Sequence, residues 1–132
     1  MPSVNLIAVL LCAVSSLVLG GIWYSPMLFA KPWQRAAGLS DEQAKSGNMA
    51  LIFGGAFVLS LIAAYVFAMF LGRNFGLGPA IGAGASAGLC WVGAAYGISY
   101  LFERRPLRLW LINGGYHTLQ FTLFGLILGW MH

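Results

Sequence analysis

Residues 46–72 read SGNMALIFGGAFVLSLIAAYVFAMFLG, a run without Lys, Arg, Asp or Glu. The hydrocarbon core of a bilayer is about 30 Å thick, takes about 20 apolar residues in helical form, and penalises charge strongly. The run therefore reads as a membrane span. Residues 1–30, 74–102 and 109–132 share the property, so the 7 Lys and Arg and the 3 Asp and Glu of the 132-residue chain all fall between these stretches. The fold class is all-α: a polytopic membrane protein of four transmembrane helices, near 5–25, 49–71, 79–101 and 107–130, in a single membrane domain spanning 1–132.

Composition narrows the function classes. With 60% hydrophobic residues and a mean hydropathy of +0.83, the spans leave no room for a soluble domain. The net charge of +4 does not point to nucleic acid, because the basic residues sit beside membrane ends, where anionic lipid headgroups are the expected partner. Cys12 and Cys90 both lie in apolar stretches and are expected as buried thiols, neither a disulfide framework nor metal ligands. No metal and no cofactor is expected. The first helix lacks a basic residue ahead of its apolar run, and Leu11 before Cys12 does not suit lipoprotein processing, so it is expected to be retained.

Local signals place the ends of the helices. Asn48 can cap helix two, and Pro79 and Pro106 suit the starts of helices three and four. Ser40-Asp41-Glu42-Gln43 reads as a capping box for a short surface helix near 41–46. Lys31, Arg35, Lys45, Arg104, Arg105 and Arg108 stand on one side of the membrane against Arg73 on the other. The positive-inside rule then puts loops one and three in the cytoplasm and both termini outside. Trp23, Tyr24, Trp33 and Trp110 fall near the cytoplasmic interface and Trp130 near the opposite one, as an aromatic belt would. Trp91 lies near mid-membrane, where it is expected to fill space left by glycines, with ligand binding as its alternative role.

The chain also repeats itself weakly. Leu51-Ile52-Phe53-Gly54-Gly55 matches Leu111-Ile112-Asn113-Gly114-Gly115, and Leu28-Phe29-Ala30-Lys31 resembles Leu101-Phe102-Glu103-Arg104. Two helical hairpins related by parallel duplication would produce this pattern. Chance similarity among glycine-rich apolar segments accounts for it equally well.

Helix four carries the clearest functional pattern. At about 100° per residue, Asn113, Tyr116, His117 and Gln120 share one face, while Gly114, Gly115, Thr118, Thr122, Gly125 and Gly129 occupy the opposite side. Polar groups of this kind are expensive against lipid, and glycines let another backbone approach closely. The first face is a candidate polar site for a small solute or a proton; its alternative role is to bond helices together, with Ser15 and Ser16 of helix one at matching depth. On helix three, Gly84 with Gly88 form one small-residue face, and Gly82, Ser86, Gly93 and Gly97 another. One is expected to pack within the protomer and the other against a second copy. Arg104, Arg105 and Arg108 surround Glu103 at the membrane edge and are candidates for lipid phosphate. One Glu and a distant His provide no catalytic set, so enzymatic activity is not expected.

Helix one ends in Trp23-Tyr24-Ser25-Pro26, where Pro26 disfavours helical geometry at Ser25. This Trp-Tyr-Ser-Pro-x-x-Phe ending, the acid-bearing loop, Leu101-Phe102-Glu103 and Ile112-Asn113-Gly114-Gly115-Tyr116-His117 resemble the bacterial family catalogued as domain of unknown function 1761. The resemblance covers nearly the whole chain. It implies a small integral protein of the bacterial cytoplasmic membrane and carries over no activity. Two functions fit the residues. The first is a non-catalytic, homo-oligomeric membrane assembly or interaction protein; the second is a passive channel or small-solute transporter lined by helix four.

Overall fold

The computed structural model describes residues 4–40, 42–43, 47–72 and 75–131. Five helices account for most of them: α1 (Leu6–Trp23), α2 (Ala30–Ala37), α3 (Met49–Leu71), α4 (Leu77–Glu103) and α5 (Leu107–Met131). No strand occurs among the described residues. The four long helices lie within about two residues of the spans read from the sequence.

Their ends follow from side-chain chemistry. The Asn5 side chain accepts hydrogen bonds from the amides of Ile7 and Ala8, and Asn48 accepts one from Leu51 at 3.1 Å, satisfying donors that the first turn leaves open. Helix α1 stops before Pro26, with the Tyr24 amide bonded to Gly20 and the Ser25 hydroxyl to Ile22. Helix α4 starts after Gly76, whose φ of 89° suits glycine, and ends on Arg104 at φ 59°. The Ser40 amide donates to Gln43 Oε1 and the Gln43 amide to Ser40 Oγ, the reciprocal pair of a capping box. The remainder of the short helix expected near 41–46 lies outside the described residues at Asp41 and 44–46, as does Arg73.

Two elements were not foreseen. Helix α2 carries Pro32 in its first turn and closes on Gly38 at φ 76°, with Leu39 bonded back to Gln34. The middle of α4, Ala87–Gly93, is π-helical. This widened stretch turns Trp91 outward, leaving it 71% exposed, so the residue expected to fill interior space does not do so.

Side by side, the long helices run in the order α3, α1, α5, α4. Helix α5 makes its broadest contact with α4, and α1 contacts both α3 and α5. Helix α3 touches α5 only marginally. The α4 and α5 backbones meet closely. A Cβ on Gly84 would collide with the Phe121 carbonyl, one on Gly125 with that of Ala80, and one on Gly88 would lie 2.7 Å from Thr118 Cα. Gly84 with Gly88 and Gly125 with Gly129 are thus two halves of one contact inside the protomer. Of the second small-residue face, Gly82 meets open space, whereas Gly93 is buried and Gly97 lies against the Trp110 indole.

At the end of the bundle near Leu71, Ala8, Cys12, Ala64, Ala68, Ala80, Phe124 and Leu128 form a closed apolar core. Three helices, α1, α3 and α4, are long and apolar enough to cross a membrane. Helix α5 has 25 residues, but the polar side chains between Asn113 and Gln120 dilute its leucines. It is also the helix placed between α1 and α4.

A candidate polar site between the helices

The polar side chains gather from the middle of the bundle to its Tyr24 end. Gln120 is 5% exposed, and its Nε2 donates to the fully buried Ser16 Oγ of α1 at 3.0 Å and to Ser60 Oγ of α3 at 3.5 Å. With Nε2 engaged as a donor, its Oε1 is the acceptor for His117 Nδ1 at 2.7 Å. This assigns the proton of a neutral imidazole to Nδ1 and leaves Nε2 as an acceptor. Ser16 Oγ in turn donates to the Cys12 carbonyl at 3.2 Å, and the Tyr116 hydroxyl to the Ser16 carbonyl at 2.9 Å.

One turn closer to the Tyr24 end, Asn113 is held from both sides. Its Oδ1 accepts from the Tyr24 hydroxyl at 2.6 Å, and its Nδ2 donates to the Tyr100 hydroxyl at 2.8 Å. Tyr96 stacks on His117 with ring centroids 5.0 Å apart and an interplanar angle of 17°. Among the described residues, no buried side-chain nitrogen or oxygen lacks a hydrogen-bond partner.

Asn113, Tyr116, His117, Gln120 and Ser16 therefore come together. Ser15 does not join them, because its hydroxyl bonds back to Cys12 of its own helix at 2.7 Å. Thr118 and Thr122 bond to their own helix in the same way. Ser60, Tyr96, Tyr100 and the bond made by Tyr24 were missed from the sequence. A signal existed: Tyr96 and Tyr100 of α4 repeat at the same spacing of four as Asn113 and His117 of α5.

The expected interface residues divide. Trp23 Nε1 donates to the Ile112 carbonyl at 2.9 Å and Trp110 Nε1 to the Gly93 carbonyl at 2.8 Å, so both indoles tie helices together. Gly114 and Gly115 lie against these same indoles, and Trp130 is exposed. Arg104 and Arg108 are exposed. Arg105 pairs with Glu103 at 3.5 Å and donates to the Ala37 carbonyl at 3.1 Å, closing the end of α2. Cys12 is buried as expected, but Cys90 is exposed. It borders a groove of about 570 Å³ between α3 and α4, with Phe121 of α5 also lining it.

Comparison with known proteins adds one finding. The model of the family described as "Protein of unknown function (DUF1761)" matches residues 7–129, so the chain belongs to that family. No curated protein and no solved structure matches it.

Proposed function

We propose, from this family membership and the bonded polar face, that the protein is a four-span protein of the bacterial cytoplasmic membrane that acts by assembly and interaction, without catalysis or conduction. One observation carries the reading: Gln120, the deepest polar group of α5, spends its amide on α1 and α3 and on its own His117. A conducting path would need such groups facing water. Here they join helices, each bond contributing about 0.6–2 kcal/mol and fixing rotation. Helix α5 is the fourth span in this reading, its low hydropathy reflecting partners on both sides. The Lys and Arg distribution supports a cytoplasmic location for the Tyr24 end.

Homo-oligomerisation belongs to the proposal. Gly54 of α3 is exposed with nothing near its missing Cβ, and the exposed Leu51, Val58 and Leu59 surround it on the same helix. Protein reconstituted in liposomes should pass neither protons nor small neutral solutes above the lipid background. A flux abolished by His117→Leu would overturn the reading. Chemical crosslinking in native membranes should give a discrete oligomer that Gly54→Leu weakens while leaving the protomer folded. A monomer throughout would remove assembly.

A further inference from the structure

Lys31 and Arg35 stand four apart on α2, so they share one face of it, and both are exposed. By the same helical spacing, Trp33, Ala36 and Ala37 lie on the opposite side. Trp33 fastens that side to the bundle: its ring meets Tyr24 edge-on with centroids 5.6 Å apart, and α2 packs against α5. Phe29, just ahead of the helix, leans on Trp23 at 4.7 Å. The basic face of α2 is therefore held away from the bundle.

Arg105 joins a second basic segment to this helix. Its guanidinium donates to the Ala37 carbonyl at 3.1 Å, across 68 positions of sequence, and pairs with Glu103 at 3.5 Å. Arg105 is thus occupied within the protein, whereas Arg104 and Arg108 beside it are exposed. Loops one and three together carry six of the seven Lys and Arg and all three acids of the chain, which leaves a surplus of positive charge at this end. The same segments expose Met27, Leu28, Leu101, Phe102 and Leu107. Cations beside exposed apolar side chains match a molecule with an anionic head and a hydrocarbon tail; a soluble polyanion would leave the apolar groups in water.

We propose that the edge formed by α2 and the 104–108 segment binds anionic phospholipid, with phosphate on Lys31, Arg35, Arg104 and Arg108 and acyl chains along Phe102 and Leu107. Arg105 is a positioning residue, which holds the end of α2 and does not touch the lipid. The inference gives the interaction reading a partner of defined chemistry, and it rests on the four-span arrangement, which sets this edge at headgroup level.

The test compares phosphatidylglycerol and phosphatidylcholine probes that carry the same diazirine high on one acyl chain. Each is photolysed as a trace component of phosphatidylcholine vesicles holding the full chain, and adducts are mapped by mass spectrometry. In 27–35 and 101–108 the phosphatidylglycerol probe should label about tenfold more than its counterpart. At the exposed Val14 and Val18 of α1 the two should label alike. Lys31→Gln with Arg35→Gln, and Arg104→Gln with Arg108→Gln, should each lower the excess about threefold to tenfold, one cation at an anionic surface being worth about fivefold. Lys31→Arg with Arg35→Lys, which keeps the charge, should retain it. In about 1 M salt, where charge is screened beyond about 3 Å, the excess should shrink to about twofold. Equal labelling by the two probes, or an excess that neither double variant lowers, would overturn the proposal. So would loss of the label to an excess of inorganic phosphate, which would mark a site for soluble anions. Arg105→Gln should lower the excess and raise amide exchange at 30–37, which Arg104→Gln with Arg108→Gln should leave unchanged; a lowered excess with normal exchange would make Arg105 a lipid ligand and overturn its positioning role. Release of the chain from vesicles by alkaline carbonate would overturn the four-span reading itself. Retention with equal labelling would overturn the lipid edge alone.

Discussion

Gly84 and Gly82 are two residues apart on α4, yet their substitution should have opposite consequences. A methyl group on Gly84 would strike the Phe121 carbonyl, which is main chain and has little room to move. Gly84→Ala, and likewise Gly125→Ala against Ala80, should destabilise the protein by about 1–3 kcal/mol, read from unfolding in detergent micelles. Gly82→Ala meets nothing within 4 Å and should be neutral or slightly stabilising, gaining up to about 1 kcal/mol of helix propensity. Arg104 presents the converse case. It holds φ 59°, which costs a side-chain-bearing residue about 1 kcal/mol, so Arg104→Gly should recover a comparable amount in the same measurement. Gln120→Leu should lower stability by about 1–3 kcal/mol, because Ser16, Ser60 and His117 each lose a partner. At this scale, caps such as Asn48 and the Ser40–Gln43 pair were legible because donor and acceptor lie within one turn. Which glycine face turned inward was not, since both faces of α4 have the same small-residue spacing.

The ends of the long helices were legible, because charge, proline and asparagine mark them locally. Helix α2 was hidden by its eight-residue length and mixed composition, which offer no apolar run. The π segment was hidden for another reason: its geometry is set by α5, against which Gly88 packs backbone to backbone. Trp110 fastens the far end of that segment through the Gly93 carbonyl. Trp110→Phe should therefore cost about 1 kcal/mol and raise amide exchange at residues 93–97 more than at 77–84. Equal exchange in both segments would mean that the indole does not hold the transition back to α-helix.

Over the whole molecule, one end is dry and apolar and the other is knit by phenols and amides. Phe124 is fully buried in the dry end, so Phe124→Ala should cost about 3–5 kcal/mol, well beyond the loss expected for Gln120→Leu. The polar end should face the cytoplasm: cysteine placed at position 43 should resist a membrane-impermeant maleimide in intact cells, and ready labelling would reverse the orientation. Charge gaps and periodicity made the four long helices and the polar face of the last one readable in the sequence, three of the four being long and apolar enough to cross a membrane. The neighbour order was not readable, because every long helix is apolar enough to pack with any other. That order gives the bundle unequal stiffness. Helices α4 and α5 are locked main chain to main chain, whereas α3 is held chiefly along its α1 side. The crevice between α3 and α4 thus has one fixed jaw and one that can slide, and its width should follow small shear movements of α3.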